Sequence, residues 1–217
     1  MSKMNHDKSG AKTSARETFN GGNFQTNAYI VKLPQGNVLI DAPEGVLRWV
    51  KSLALEIDLL VLTHSHFDHV EEAAAVVKHF GCECAYHPWT RDMAREAEFF
   101  RAYGLPINVL HVAANRSLDE GAGQTILGEL TDILHVPGHH PASICLYFPG
   151  RGEVYVGDTL FAGSIGRTDL PDGDHDLLLR GIREKLYALP DETLVFPGHG
   201  PATYIGNEKL YNPYLHV

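Results

Sequence analysis

Residues 63–69 read Thr-His-Ser-His-Phe-Asp-His and follow directly on the apolar run Ile57-Asp58-Leu59-Leu60-Val61-Leu62. Three imidazoles and one carboxylate fall within the span 64–69, a density that no packing requirement explains. Imidazole and carboxylate are the ligand types that suit zinc and other borderline divalent metals. His64 and His66 are two apart, so an extended or tightly turned backbone can aim both at one ion. Asp68 and His69 follow on the expected first turn of a helix, displaced enough to aim at a second ion. The segment reads as the start of a metal site, with the layout of a dinuclear one.

The run cannot fill two coordination spheres alone, because a catalytic zinc usually takes three protein ligands plus an open position. Further candidates stand just beyond other expected strands. His139 lies in His135-Val136-Pro137-Gly138-His139-His140-Pro141, Asp158 ends Val154-Tyr155-Val156-Gly157-Asp158, and His199 follows Leu194-Val195-Phe196-Pro197-Gly198. Pro-Gly pairs in two of these loops force turns, so side chains far apart in sequence can converge. Taken alone, a Gly-His-Gly is a common turn and an Asp after a strand a common helix cap. Beside the run at 64–69 they become its expected partners.

These segments, with Asp41 after the strand Val38–Ile40, resemble the motifs of the metallo-β-lactamase-fold hydrolases. Within that superfamily, Ser164–Asp174, with its Gly166-Arg167-Thr168-Asp169, resembles a loop of the short glyoxalase II-like (hydroxyacylglutathione hydrolase-like) proteins. Gln25–Ile30 and Glu208–Pro213 resemble their early and late segments, so the likeness runs from about residue 17 to the end. It implies an α/β fold of the αββα sandwich type, a four-layer arrangement. It implies that His64, His66 and His139 hold one metal, that Asp68, His69 and His199 hold another, and that Asp158 bridges them. The nucleophile would be a hydroxide shared by two divalent ions about 3.5–4 Å apart. Asp68 would orient it, and one metal would polarise the substrate carbonyl. Asp41 would accept a hydrogen bond from a ligand imidazole; its other reading is a turn-forming Asp before Ala42-Pro43. Zinc is the expected metal, and iron or manganese would suit the same donors.

The implied substrate is a small-molecule thioester such as S-lactoylglutathione. Arg167 occupies the place of a cationic glutathione contact, and Lys209 is a second candidate anion contact. Arg167 could instead pair with Asp169, Asp172 or Asp174, and Lys209 could be a solvated surface charge. The helical C-terminal domain of full-length glyoxalase II is expected to be absent. Lactones or other acyl compounds would suit the same centre, and persulfide dioxygenases, which share the Gly-Arg-Thr-Asp loop, use a single iron. A diiron redox centre of this fold carries a carboxylate where His66 stands. A noncatalytic metal-binding module is the third class, at odds with so many ligands around open positions. Two features depart from the family pattern: Glu71-Glu72 replace two glycines, and His140 stands where a threonine is usual.

The chain has 217 residues, a 44% hydrophobic composition and a formal net charge of −9. The acidic balance argues against nonspecific nucleic-acid binding and against an anionic membrane surface. Three cysteines cannot build a disulfide framework, and Cys82, Cys84 and Cys145 read as buried thiols. The opening residues show no apolar signal core and no run reaches transmembrane length, so a cytoplasmic location is expected. Residues 1–16 read as a disordered tail and 17–217 as one domain. Periodicity predicts strands over 27–33, 36–41, 57–62, 83–87, 131–136, 143–148, 153–158 and 193–196, with two further short strands on either side of the turn Asp119-Glu120-Gly121. Helices are predicted over 44–55, 69–80, 90–102, 176–188 and 204–210, with Gly81 ending the second and Asp174 or Asp176 capping the fourth.

Overall fold

Side chains alternate across the long strands, and that alternation sorts the apolar residues into three layers. The computed structural model describes residues 16–90, 92–105 and 107–215. The first sheet contains β1 (Arg16–Gly21), β2 (Thr26–Leu33), β3 (Gly36–Ile40), β4 (Leu59–Val61), β5 (Glu83–Tyr86) and β6 (Arg116–Ser117), side by side in that order. Helices α1 (Val46–Ser52), α2 (Phe67–Val70), α3 (Ala73–Phe80) and α4 (Met93–Arg101) connect its parallel strands. The second sheet takes β7 (Gly121–Ile126), β8 (Glu129–His135), β9 (Ile144–Phe148) and β10 (Glu153–Gly157). The short pair β11 (Leu160–Phe161) and β12 (Ser164–Ile165) and helix α5 (His175–Gly181) come next in the chain. The second sheet is completed by β13 (Leu194–Pro197) and β14 (Thr203–Tyr204), in the order β14-β13-β10-β9-β8-β7, before α6 (Ile205–Tyr211).

Tyr29, Val31, Ile40 and Val61 of the first sheet meet Ile133, Leu146, Tyr155 and Phe196 of the second in a central apolar layer. The opposite faces of the same strands point outward. Ala28, Ile30, Leu60 and Leu62 pack with Val46, Val50, Val76 and Met93 of the helices on one side. Val154 and Val156 pack with Leu178, Ile182 and Ile205 on the other. The result is the αββα sandwich. β3 and β4 are parallel, as are β10 and β13, so the chain leaves each pair at a common edge. The residues that follow these strands are the candidate ligands.

The structure corrects several boundaries. Arg16 is not tail: it opens β1, its Nη1 lies 3.1 Å from Glu153, and its guanidinium covers the Phe196 ring at 3.8 Å. The expectation for residues 1–15 lies outside the described residues. The helix predicted over 69–80 is two helices, parted at Glu71-Glu72. The helix predicted over 176–188 begins with Asp174 as its cap, whose Oδ1 accepts from Leu177 N at 2.9 Å, and passes into a π-turn at Ile182–Leu186. Strands β1, β11, β12 and β14 have no counterpart in the periodicity. The three cysteines are buried and free, and burial pushes Cys84 and Cys145 up to about 12. Among the described residues no helix is long and apolar enough to cross a membrane.

Candidate metal centre

Three of the candidate histidines, His64, His69 and His139, are held by partners outside the cluster that decide which ring nitrogen faces inward. Asp41 directly follows β3 with φ 63°, a left-handed conformation that Asp tolerates better than most residues. Its Oδ1 accepts from Thr63 N at 2.8 Å, and its Oδ2 accepts from Thr63 Oγ1 at 2.9 Å and from His69 Nδ1 at 2.8 Å. Thr63 Oγ1 lies 3.1 Å from His64 Nδ1 and is the acceptor for it, since its own proton goes to Asp41. His139 Nδ1 donates to the Arg167 carbonyl at 2.8 Å. His64, His69 and His139 therefore all turn Nε2 inward, the arrangement by which outer partners commonly fix metal-binding imidazoles.

The seven candidates converge. Ligand-type atoms of His64, His66 and His139 form one group within 4.8 Å, those of His64, His69 and Asp158 another, and those of Asp68, His69 and His199 a third. Asp158 reaches across: its Oδ1 is 3.2 Å from His69 Nε2, and its Oδ2 is 3.6 Å from His139 Nε2 and 3.4 Å from His199 Nε2. Asp68 Oδ2 is 3.3 Å from His199 Nε2 and accepts from Thr26 Oγ1 at 2.9 Å. His64 Nε2, His69 Nε2 and Asp158 Oδ1 are buried and make no well-formed hydrogen bond, the last two facing each other as an ion pair at 3.2 Å. Close backbone approach is required here, because a Cβ on Gly198 would overlap Asp158 Oδ1 and crowd His69. Asn27 anchors the His199 loop, its side chain donating to the carbonyls of Pro197 and Gly200.

Burial holds His64 and His66 well below the usual imidazole range, helped by the positive neighbours around each. Burial opposes charge on His69 too, but Asp158, Asp68 and Asp41 outweigh it and raise the group well above that range. At His199 burial is again overridden, by hydrogen bonds to Asp158 and Asp68, and the imidazole rises to about 10. Asp158 is buried, yet His69 and His199 hold it well below the ordinary carboxylate range. The cluster is thus a compact assembly of opposite charges, ready to exchange its protons for cations.

The expected anion contacts fall elsewhere or are already engaged. Arg167 lines the mouth of the cluster, but it forks onto Asp169 with Nε–Oδ1 2.7 Å and Nη2–Oδ2 2.8 Å. Lys209 is drawn away from the cluster: its Nζ contacts Asp191 at 2.5 Å and the Leu189 carbonyl at 3.2 Å. His140 joins no metal group among the described residues. Its Nδ1 accepts from Ala142 N at 3.0 Å, and its Nε2 lies 3.4 Å from Glu96 and 3.2 Å from Ser65 Oγ. Of the unusual pair Glu71-Glu72, Glu72 accepts from Leu47 N at 2.8 Å and so serves the start of α1. Thr26, Thr63, Ser65 and Glu96 were not candidates from sequence, although Thr63 and Ser65 stood inside the run 63–69 and Thr26 inside Gln25–Ile30; Glu96 lay outside every segment set apart.

A sequence family described as the metallo-beta-lactamase superfamily matches residues 21–199. The chain belongs to the metallo-β-lactamase superfamily. One superfamily relative, hydroxyacylglutathione hydrolase GloC of Haemophilus influenzae, is 36% identical over 199 residues, covering 88% of this chain and 93% of its own. The crystal structure of TTHA1623 in a di-iron-bound form superposes with TM-score 0.82 at 37% identity, covering 92% of this chain and 100% of that one. ETHE1 from Myxococcus xanthus superposes with TM-score 0.74 at 25% identity, covering 92% and 83%. Membership in this superfamily accounts for both the sandwich and a His/Asp cluster able to hold metal at the edge of its sheets.

Proposed function

We propose that the protein is a metal-dependent hydrolase of thioesters of the S-lactoylglutathione type. The observation that carries the reading is the convergence of buried ligand atoms that make no well-formed hydrogen bond, His64 Nε2 beside the ion-paired His69 Nε2 and Asp158 Oδ1. Burying such atoms without well-formed hydrogen bonds is costly, and divalent cations between them would satisfy all three. His64, His66 and His139 would hold one ion and Asp68, His69 and His199 the other, with Asp158 shared. Zinc fits this donor set, and the di-iron form of TTHA1623 supports iron as well. Such ions supply Lewis acidity toward a carbonyl and bring the pKa of water toward neutrality.

The remaining work falls to the chain's own residues. Asp41 and Thr63 hold the imidazoles in the tautomers that ligation needs. Thr26 fixes one oxygen of Asp68, whose carboxylate would orient the attacking water. Above the cluster is a cavity of about 460 Å3 whose walls include Phe24, Phe67, Phe99, Phe100 and Tyr103. These rings would pack the substrate and limit water around its carbonyl. The likeness to GloC, a hydroxyacylglutathione hydrolase, supports the thioester class. The inter-sheet core shared by both sheets supports reading 17–217 as one domain, and the free thiols suit a cytoplasmic setting.

Asp158→Ala tests the reading. It should lower the occupancy of both metals, measured by elemental analysis of protein from defined medium, and abolish hydrolysis of S-lactoylglutathione. Two full equivalents of metal in that variant would defeat the bridging role. The likeness to ETHE1 favours a second reading, a mononuclear-iron persulfide dioxygenase. Oxygen uptake with glutathione persulfide, without thioester cleavage, would select it.

A further inference from the structure

We propose that the cavity between α4 and the Leu170–Asp172 turn is the subsite for the carboxylate-bearing half of the substrate, with Arg95 as its anion contact. The proposal rests on the thioester reading above and names the part of the substrate that this second space takes. The cavity measures about 520 Å3 and is lined by His66, Phe99, Phe100 and Leu170, all of which also line the space over the metal cluster. A ligand with its reacting carbonyl at the cluster can therefore extend into it without leaving the protein surface.

The charges around this cavity are unequally engaged. Asp92 caps α4, its Oδ1 accepting from Arg95 N at 3.0 Å. Glu96 accepts from Ser65 Oγ at 2.5 Å and sits 3.4 Å from His140 Nε2. Asp172 is engaged as well. Arg95 is exposed on α4 and lines the cavity, and its guanidinium has no ion pair or hydrogen bond with any other described residue. Among the described residues Arg167 is the other arginine at the mouth, and its fork is already closed on Asp169. A carboxylate arriving from solvent therefore meets an open guanidinium at Arg95 and a neutralised one at Arg167. A guanidinium takes a carboxylate in a planar two-point contact, and the neighbouring Phe99 and Phe100 rings can pack the methylene stem that leads to it. The matching ligand is a thioester whose thiol half carries a carboxylate several bonds from sulfur, as glutathione does.

The test uses the metal-loaded 217-residue chain. S-hexylglutathione, which cannot be hydrolysed, is titrated calorimetrically into the parent, Arg95→Ala, Arg95→Lys and Arg167→Ala. KM is measured for S-lactoylglutathione and for the uncharged S-lactoyl-N-acetylcysteamine. Arg95→Ala should weaken S-hexylglutathione by about fivefold or more, the size expected for an exposed charge-assisted contact. Arg95→Lys should recover part of the loss, and Arg167→Ala should cost less. KM for S-lactoylglutathione should rise by a larger factor than KM for the uncharged thioester. Equal affinity of the parent and Arg95→Ala, equal losses on both thioesters, or no binding by the parent would overturn the subsite. If the parent cleaves neither thioester but Arg95→Ala still weakens S-hexylglutathione, the hydrolase reading fails and the subsite stands.

Discussion

Asp41 accepts three hydrogen bonds, two from Thr63 and one from His69, and through Thr63 it also sets the ring of His64. Asparagine has the same shape but one acceptor oxygen in place of two, so in Asp41→Asn at least one of these donors loses its partner. The variant should fold and should bind zinc about 10–100-fold more weakly, as measured by competition with a chromophoric chelator. Parent-like affinity would show that Asp41 merely shapes the turn before Ala42-Pro43. At this scale the candidate cluster was legible because imidazoles and carboxylates stood at strand ends with no packing reason to be there. The supporting hydroxyls were not. Thr26 meets Asp68 and Ser65 meets His140 across 42 and 75 residues, and nothing local distinguishes such a hydroxyl from a surface one. Arg167 was ambiguous for the opposite reason: its pairing with Asp169, two residues on, is local, but sequence cannot say whether a fork closes on a neighbour or on a ligand.

The helix expected over 69–80 breaks where its two glutamates stand, and the break lets Glu72 turn toward α1. Gly45 precedes α1 without a side-chain cap, and Glu72 Oε2 supplies the missing acceptor to Leu47 N. This ties the metal-run helices to the helix after β3, across 25 residues of chain. Glu72→Ala should cost about 1 kcal/mol, the usual effect of losing a helix cap, seen as a lower urea midpoint. Glu72→Gln should lose less, because its amide oxygen can still accept. An unchanged midpoint in Glu72→Ala would mean that α1 needs no cap from this side chain. Strands such as β2 and β10 were legible because burial on both faces fills their centres with apolar residues, Ala28–Val31 and Val154–Val156. β11, β12 and β14 have two residues each, too few for any period to register. They form because neighbouring backbone is already in place.

The first sheet uses only residues up to Ser117 and the second only residues from Gly121 onward, so the chain crosses between layers once. His87, just after β5, stacks on His135 at the end of β8 with ring centroids 4.0 Å apart and planes 13° apart, a contact between the two layers. Burial, followed by the charge His135 can carry, lowers His87 from 6.5 to about 4. The unfolded chain therefore binds the proton first, and stability contributed here is complete above about pH 6.5 and is lost as pH falls toward 4. Between pH 7 and pH 5 the urea midpoint of His87→Asn should fall less than that of the parent; equal falls would remove His87 as a source of acid sensitivity. The same single crossing also divides the candidate ligands. His64, His66, Asp68 and His69 belong to the first half, and His139, Asp158 and His199 to the second. Neither half carries the whole candidate cluster. A backbone nick at the exposed Asp119-Glu120 turn should yield two fragments that complement each other as a heterodimer tightened by zinc and loosened by a chelator, a split protein whose reassembly reports metal.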